Sequence, residues 1–242
     1  MTGDVRHLDW DGCFNVRDLG GLAVAGGGRI RPGALVRADT LEGLTADGWA
    51  ALLEHGVRTV VDLRNDDERG FDAATRPPEV TTVELALDGV EDRTFWDAWD
   101  TNPAFGTPLY YGPHLERFPE RSARVVTAVA RAAPGGVAVH CVGGRDRTGQ
   151  VTMLLLALCA VQPEAIGADY ALSAERLPAR YAALGQPDQE PGLAAFLRDR
   201  GTTGAALVAE LVRTGGLEHT VRAGGVTDED LAALRARLIE SA

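Results

Sequence analysis

Short apolar runs and helix-like segments alternate along the first part of the chain. Residues 29–38 predict an extended pair joined by a Pro-Gly turn, and Thr45 predicts the N-cap of a helix that Gly56 ends. The run 57–63, VRTVVDL, is rich in β-branched residues, as is typical of a strand buried in a sheet. Residues 80–87 form a second run of this kind.

The middle of the chain combines the same patterns around a glycine-rich segment. Residues 88–108 are polar, aromatic and turn-rich, so we expect a long loop with at most short helical pieces. Apolar spacing predicts a helix over 119–133. A short strand over 137–140 then leads through the loop 141–147 into an apolar helix over 148–160. This order predicts an α/β fold, a central sheet flanked by helices.

After Pro163 the apolar positions follow a helical period. The predicted helices are 163–184, 193–200, 203–214, 217–222 and 227–239. We expect a single domain over 1–242 with a helical C-terminal portion over 163–242. The segment GQPDQEPG, 185–192, is typical of a hinge, and we hypothesise that these helices include a lid over a functional site.

The composition is that of a soluble globular protein. Of 242 residues, 45% are hydrophobic and 24% are charged. The formal net charge of −11 disfavours binding to nucleic acid and to anionic membrane surfaces. The chain contains no lysine, so all 24 basic residues are arginines. An anionic substrate would therefore need a local concentration of positive groups.

The sequence carries no recognisable membrane or export signal. The first residues lack a basic start followed by an apolar stretch. The longest apolar run, 151–161, is too short to span a bilayer, so we expect no stable membrane insertion. A cytoplasmic protein is the expectation, with leaderless export left open, and the sequence does not indicate an oligomeric state.

Three cysteines, Cys13, Cys141 and Cys159, argue against a disulfide framework because their number is odd and no two have a paired spacing. The five histidines are scattered, so we predict no metal site and no cofactor. Cys159 lies within the apolar helix and is expected to be an inert core residue. Cys13 is expected to be structural, with a reversible redox cap on Cys141 as the alternative.

The segment 140–149, HCVGGRDRTG, contains the residue types that phosphate-ester cleavage by a thiol requires. Such a reaction needs a thiolate nucleophile. A loop of inward-pointing N–H groups before a helix stabilises that charge and then binds the phosphoryl oxygens. Gly143 and Gly144 allow the backbone to approach an anion closely. Arg147, six residues after Cys141, has a planar guanidinium that can grip two oxygens at once.

This segment resembles the signature of the protein tyrosine phosphatase superfamily: Cys, five residues and Arg, preceded by His and followed by Thr-Gly. With Asp before the Arg, HCxxGxDRTG, it is similar to that of the bacterial tyrosine and lipid phosphatase family. NVRDLGG, 15–21, resembles the NFRDLGG box of that family, and TVVDLRNDDER, 59–69, resembles its strand-plus-DLR segment. The three matches span 15–149, and the helical C-terminal part adds none.

The resemblance implies a tyrosine-phosphatase-like fold and a role for each loop residue. Cys141 would be the nucleophile that forms a phosphocysteine, and Arg147 would clamp the phosphate. The expected phosphate-binding residues are Val142, Gly143, Gly144, Arg145, Asp146, Arg147 and Thr148. The hydroxyl of Thr148 can also donate to the sulfur when the thiolate leaves. The family usually has Lys at position 145, where Arg145 keeps the charge but changes the shape, which bears on substrate preference.

A carboxylic acid must protonate the leaving oxygen. The Trp-Pro-Asp sequence that supplies this acid in much of the superfamily is absent. The resemblance favours the loop aspartate, which is Asp146 here. Asp97 and Asp100 are the main alternatives, ahead of Asp88 and Asp92.

Several residues near these motifs are expected to support the site. His140 is expected to orient the loop by hydrogen bonding, and Arg64 to buttress it. Arg17 and Asp18 are expected to form a structural pair near the loop. The acidic run 66–68 is interpreted as a solvated helix start.

The expected function is hydrolysis of a phosphomonoester by a protein tyrosine or dual-specificity phosphatase. Its partner would be a phosphorylated protein or a phosphoinositide. The alternatives are a phosphoinositide phosphatase, which Arg145 suits, and a phosphate-binding protein with little turnover. The Arg-Thr-Gly ending disfavours sulfur transfer, and the absence of resolving cysteines near the loop disfavours arsenate reduction.

Overall fold

In the computed structural model, which describes residues 6–241, a five-stranded sheet lies at the centre. The strands are β1 (Arg17–Asp18), β2 (Arg29–Ile30), β3 (Leu35–Ala38), β4 (Val57–Asp62), β5 (Thr81–Glu84), β6 (Gly136–His140) and β7 (Ile239–Glu240). The central sheet has the order β1-β3-β6-β4-β5, with β1 antiparallel to β3 and the other neighbours parallel. This arrangement confirms the predicted α/β fold.

The helices lie on both sides of this sheet. They are α1 (Ala46–Glu54), α2 (Arg93–Trp99), α3 (Tyr111–Arg117), α4 (Pro119–Ala130), α5 (Asp146–Leu158), α6 (Pro163–Ala171), α7 (Ser173–Ala183), α8 (Glu190–Arg198), α9 (Gly204–Thr214), α10 (Leu217–Ala223) and α11 (Asp228–Leu238). Short 3₁₀ helices occupy Asp66–Glu68 and Pro108–Tyr110. None of the helices in residues 6–241 combines the length and the apolar character needed to cross a membrane.

Local sequence signals set several of these boundaries. The Thr45 hydroxyl accepts from the Gly48 N–H at 3.2 Å, and Gly56 follows α1 with φ +93°, as its cap pattern predicts. The predicted helix 163–184 is divided into α6 and α7 at Leu172. Leu172 keeps near-helical angles, φ −59° and ψ −22°. Neither glycine nor proline stands at the division, so the sequence does not signal it.

The prediction of an extended pair over 29–38 was wrong in its pairing. β2 pairs with β7 near the C-terminus, whereas β3 pairs with β1 and β6. All four residues of β3 are buried, which suits a central strand, but Arg29 in β2 is exposed. The two strands therefore belong to different sheets.

Three parallel strands end at the same edge of the central sheet. Ala38 at the end of β3 and Asp62 at the end of β4 both stand in register with His140 at the end of β6. β6 is entirely buried between its neighbours. The segments that follow these three strands therefore meet around the loop that begins at Cys141, in the position where open α/β sheets bind ligands.

Candidate active site

The loop 141–147 connects the buried end of β6 to the first turn of α5. Cys141 is 3% exposed and directly follows the central strand. α5 has 13 residues, and its N-terminus carries the positive end of the helix dipole. The loop therefore has the strand-to-helix position in which backbone N–H groups bind anions.

Successive carbonyl groups of this loop are bonded from its outer side. The acceptors are the carbonyls of residues 142, 143 and 144, and their donors are Thr40 N (3.0 Å), Asn15 Nδ2 (3.0 Å) and Arg37 Nη2 (2.9 Å) respectively. The C=O and N–H of one trans peptide point in opposite directions. We therefore infer that the N–H groups of residues 143–145 are turned toward the inside of the loop.

The two loop glycines differ in the space that a side chain would have at each position. Gly144 has φ +67°, and a Cβ atom at this position would lie 2.6 Å from the carbonyl oxygen of Ala38 and from the N–H of Asp39. A side chain at Gly143 would meet only Leu177 Cδ2, at 3.9 Å. The close approach of the loop to the end of β3 therefore requires glycine at position 144 and tolerates alanine at 143.

Two carboxylates orient the guanidinium of Arg147. Glu68 accepts from both Nη1 and Nη2, with 2.6 Å between Nη2 and Oε1, and Asp88 Oδ2 lies 3.1 Å from Nη1. A guanidinium has five N–H groups, so these contacts leave the Nε hydrogen and one Nη2 hydrogen. Those two hydrogens point the same way and form a second fork that can engage two phosphoryl oxygens.

The interpretation of residues 66–68 as a solvated helix start was wrong for Glu68. Asp66 and Asp67 are exposed, but Glu68 turns toward Arg147 and also accepts from the Asn65 N–H at 2.8 Å. The 3₁₀ turn follows the end of β4, which lies beside β6 in the sheet. This neighbouring strand end brings Glu68 to the loop.

Arg145 points to the other side of the loop, toward α8. Its Nε and Nη2 donate to Asp146 at 3.2 and 3.1 Å, and its Nη1 pairs with Glu190, the first residue of α8. Burial lowers the pKa of Arg145, but Asp146, Tyr170 and Glu190 outweigh this effect and raise it well above its ordinary value. Arg145 is thus a charged side chain that is paired with two carboxylates.

Asp88 lies beside Arg147 and has the raised pKa that a proton donor needs. Burial raises its pKa above the usual range, although Arg147 and Asn65 oppose that shift. Its Oδ2 accepts from Asn65 Nδ2 at 2.9 Å and also faces Arg147, and 15% of the side chain remains exposed. Asn65 and Arg147 thus both hold the same oxygen of Asp88.

The remaining candidate acids lie in other surroundings. Asp97 and Asp100 are exposed partners of Arg93 on α2. Asp92 caps the N-terminus of α2 and pairs with Arg117. Asp146 lies in the loop, where both of its oxygens accept from the guanidinium of Arg145.

His140 and Arg64 lie directly behind the loop. His140 Nδ1 is 3.2 Å from the carbonyl oxygen of Cys141, and its Nε2 is 3.7 Å from Asp62 Oδ2. Burial lowers the pKa of His140 to about 4, so the ring is neutral at pH 7. Arg64 pairs with Asp62 at 2.8 Å and with Glu42 at 2.6 Å, which ties β4 to the segment after β3.

The expected pair of Arg17 and Asp18 does not form. Adjacent residues of a strand point to opposite faces of a sheet, and these two do so. Arg17 donates to Asp169 of α6 at 3.0 Å, whereas Asp18 accepts from the Gly33 N–H at 2.7 Å and lies 3.2 Å from His55 Nε2. Arg17 is thus directed to the loop side and Asp18 away from it.

The other sequence candidates have structural contacts. The Thr148 hydroxyl donates to the carbonyl of Ala38 at 3.5 Å. Cys13 donates to Asp39 Oδ1 at 2.8 Å, and burial raises the pKa of this thiol well above its ordinary value. Burial likewise raises the pKa of Cys159 to about 12. Within residues 6–241 no group of three or more His, Cys, Asp or Glu side chains is arranged to hold a metal ion.

Sequence reasoning missed several residues that contact the loop directly or through one partner, including Asn15, Arg37, Glu68, Asp169 and Glu190. Asn15 lies in the NVRDLGG box and could have been found there, since it opens that motif. Glu68 likewise lies in the segment 59–69 that resembles a family motif, whereas the others lie on separate strands and helices with no motif to indicate them.

Comparison with known proteins agrees with this geometry. A family model described as a tyrosine phosphatase family matches residues 8–240. A protein of Cupriavidus necator, provisionally named as a tyrosine-protein phosphatase, is 33% identical over 181 residues, covering 71% of this chain and 64% of that relative. The triple specificity protein phosphatase of Mycobacterium tuberculosis is 30% identical over 215 residues, 77% of this chain and 75% of its own.

A tyrosine-protein phosphatase of Nostoc commune is 29% identical over 219 residues, covering 85% of this chain and 74% of that relative. The chain thus spans slightly less than two thirds of the Cupriavidus relative and about three quarters of the other two. The family model, in contrast, extends over nearly all of the residues described here. The chain therefore belongs to the tyrosine phosphatase family.

Proposed function

We propose that the chain hydrolyses phosphomonoesters through a phosphocysteine at Cys141, as a protein tyrosine or dual-specificity phosphatase acting on phosphorylated proteins. The observation that carries this proposal is the outward anchoring of the loop carbonyls 142–144 next to Cys141. It supplies N–H groups for an anion at the sulfur. The names of three relatives, all phosphatases, support the same reaction.

In the first step the phosphate would lie between the loop N–H groups and the free fork of Arg147. The Cys141 sulfur attacks phosphorus, the S–P bond forms, and the bond from phosphorus to the ester oxygen breaks. The leaving oxygen takes a proton from a carboxylic acid. In the second step water attacks phosphorus and gives a proton to the carboxylate, the S–P bond breaks with its electron pair returning to the sulfur, and inorganic phosphate leaves.

Asp88 is the proton donor that the contacts support best, with Asp146 as the alternative that the family resemblance favours. A general acid must hold a proton near neutral pH, and burial shifts the pKa of Asp88 in that direction. Both oxygens of Asp146 are already acceptors for Arg145. Asp88 would donate through the oxygen that Asn65 and Arg147 leave unbonded.

We also propose that α8 forms a lid over the site. Leu197 is the buried residue of this helix, and α8 contacts the loop through Glu190. A cavity of about 420 Å³, lined mainly by apolar residues that include Leu193, Leu197 and Tyr170, separates α8 from α6. Hydrogen exchange with and without inorganic phosphate tests this: protection that changes over 187–203 supports a lid, and unchanged protection contradicts it.

The alternative of a phosphoinositide phosphatase depended on Arg145 as a receptor for extra phosphate groups. In the structure this guanidinium is paired with Asp146 and Glu190, so an extra phosphate would have to compete with two carboxylates for it. That observation favours phosphoproteins. A substrate panel of phosphotyrosine peptides, phosphoserine peptides and phosphoinositides distinguishes the classes by kcat/KM.

Turnover of a chromogenic aryl phosphate tests the reaction itself. Cys141→Ser should abolish turnover while inorganic phosphate still binds, because the loop N–H groups and Arg147 remain. Cys159→Ala is the matched control, a second buried cysteine that should leave kcat/KM nearly unchanged. Full activity of Cys141→Ser would refute the mechanism, and absence of turnover in the wild-type enzyme would leave only a phosphate-binding role.

A further inference from the structure

Two arginines and an aspartate form a fully buried cluster behind the phosphate-binding loop. Arg17, Arg37 and Asp169, here called the arginine–aspartate cluster, are each at most 1% exposed. Arg17 Nε lies 3.0 Å from Asp169 Oδ1, and Arg37 Nη1 lies 2.8 Å from Asp169 Oδ2. One carboxylate on α6 thus holds guanidinium groups from β1 and β3.

The cluster extends to the loop along two routes. Arg37 Nη2 donates directly to the Gly144 carbonyl at 2.9 Å. Arg17 Nη1 donates to Asn15 Oδ1 at 2.9 Å, and Asn15 Nδ2 donates to the Gly143 carbonyl at 3.0 Å. Two successive loop carbonyls are therefore fixed, one directly and one through an amide, by side chains anchored at Asp169.

Stability alone is a poor explanation for this cluster. Burying three charges costs more than packing apolar side chains of similar volume, so a buried ion cluster is weak support for a stabilising role. Burial, with the neighbouring charge of Arg37, lowers the pKa of Arg17 to about 10, despite the contacts with Asp169. The cluster also carries more positive than negative charge, at the position where a bound phosphate would benefit from it.

We propose that Arg37, Arg17 and Asp169 are positioning residues that turn the N–H groups of Gly144 and Arg145 toward the phosphate. The proposal rests on the phosphatase function proposed above and adds the reason why the loop is ready for an anion before one binds. Pre-oriented donors need no reorganisation when charge arrives, which is the main source of their catalytic value.

The test compares Arg37→Met with the wild-type enzyme well below the melting temperature of both. The inhibition constant of inorganic phosphate should rise about tenfold or more, and kcat/KM for an aryl phosphate should fall by at least as much, since the Gly144 carbonyl loses its anchor. Arg58→Met is the matched control. Arg58 donates to the carbonyls of Leu53 and Val57 near the opposite end of β4, so its loss should change stability and not phosphate affinity.

Asn15→Ala provides a second variant that changes no charge and decides the case if Arg37→Met does not fold. It should also weaken phosphate inhibition, because the Gly143 carbonyl loses its donor. A lower melting temperature with an unchanged inhibition constant in the folded variants would overturn the positioning role. If the wild-type enzyme neither binds phosphate nor cleaves an aryl phosphate, the phosphatase function fails instead.

Discussion

The two sides of the loop 141–147 are built differently. On the sheet side, Arg37 and Asp169 are fully buried, and the Asn15 amide and the Thr40 N–H also hold loop carbonyls. On the α8 side, Arg145 is held by Glu190 at the start of a helix, beside an apolar cavity of about 420 Å³. Under the proposed function, the first side would fix the geometry of a bound anion, and the cavity on the second would give a substrate room to enter.

The comparison also explains the different roles of the two loop arginines. Arg147 is oriented by Glu68 and Asp88, which leave its Nε fork free, whereas Arg145 is held by Asp146 and by Glu190 of α8. The first arrangement prepares a guanidinium for a new anion. The second connects the loop to α8.

The largest expected effect distinguishes the two candidate acids, Asp88 and Asp146. Asp88→Asn should lower kcat about 10²–10⁴-fold for esters with poor leaving groups and much less for good ones, because only poor leaving groups need the proton. The slope of log kcat against leaving-group pKa measures this. Asp146→Asn is the matched control with a small expected effect. A steep slope in Asp146→Asn and none in Asp88→Asn would reverse the assignment.

Substitution of the two arginines by lysine tests the comparison next. Arg147→Lys should lower kcat/KM on the order of 10²–10³-fold, because an ammonium group cannot form the two-oxygen fork. Arg145→Lys keeps the charge that pairs with Asp146 and Glu190 and should change kcat/KM only several-fold. Equal losses in both variants, measured with an aryl phosphate, would show that the two sides do not differ as described.

The glycine pair offers a finer test of the sheet side. Gly144→Ala forces a Cβ against the end of β3 at positive φ and should displace the loop, lowering kcat/KM about 10²-fold. Gly143→Ala has room for its methyl group and should remain within a few-fold of wild type. The measurement is kcat/KM beside the melting temperature. A Gly143→Ala enzyme as impaired as Gly144→Ala would contradict the account of the loop path.

Much of the site could be predicted because its chemistry lies in one short segment. Cys141, the loop glycines and Arg147 are all within ten residues, and a strand and a helix with clear patterns flank them. Arg37 and Asp169 are 132 residues apart, and Glu68 and Arg147 are 79 apart. Those contacts depend on strand order and on the packing of α6, and neither leaves a local pattern in the sequence.

The smallest effect on activity at neutral pH is expected for His140→Gln. This substitution mainly tests the pH dependence of stability. His140 has its pKa lowered from 6.5 to about 4 by burial, so the unfolded chain binds its proton first as the pH falls. The folded state should therefore lose about 3 kcal/mol between pH 6.5 and pH 4 from this group. Chemical unfolding across that range should show the loss in wild type and less of it in His140→Gln.

The same substitution at an exposed histidine, His219→Gln, is the control for this experiment. If His140→Gln and wild type lose stability in parallel between pH 6.5 and 4, the neutral buried ring is not the cause of the acid sensitivity.

The central claim is that phosphate is transferred to the sulfur at the end of β6. Acid quenching during turnover of an aryl phosphate, followed by mass spectrometry of the digested protein, tests it most directly. We predict a phosphoryl group on the peptide that contains Cys141, and its loss in Cys141→Ser together with turnover. A phosphoryl group on another residue, or continued turnover in the absence of that sulfur, would contradict the account.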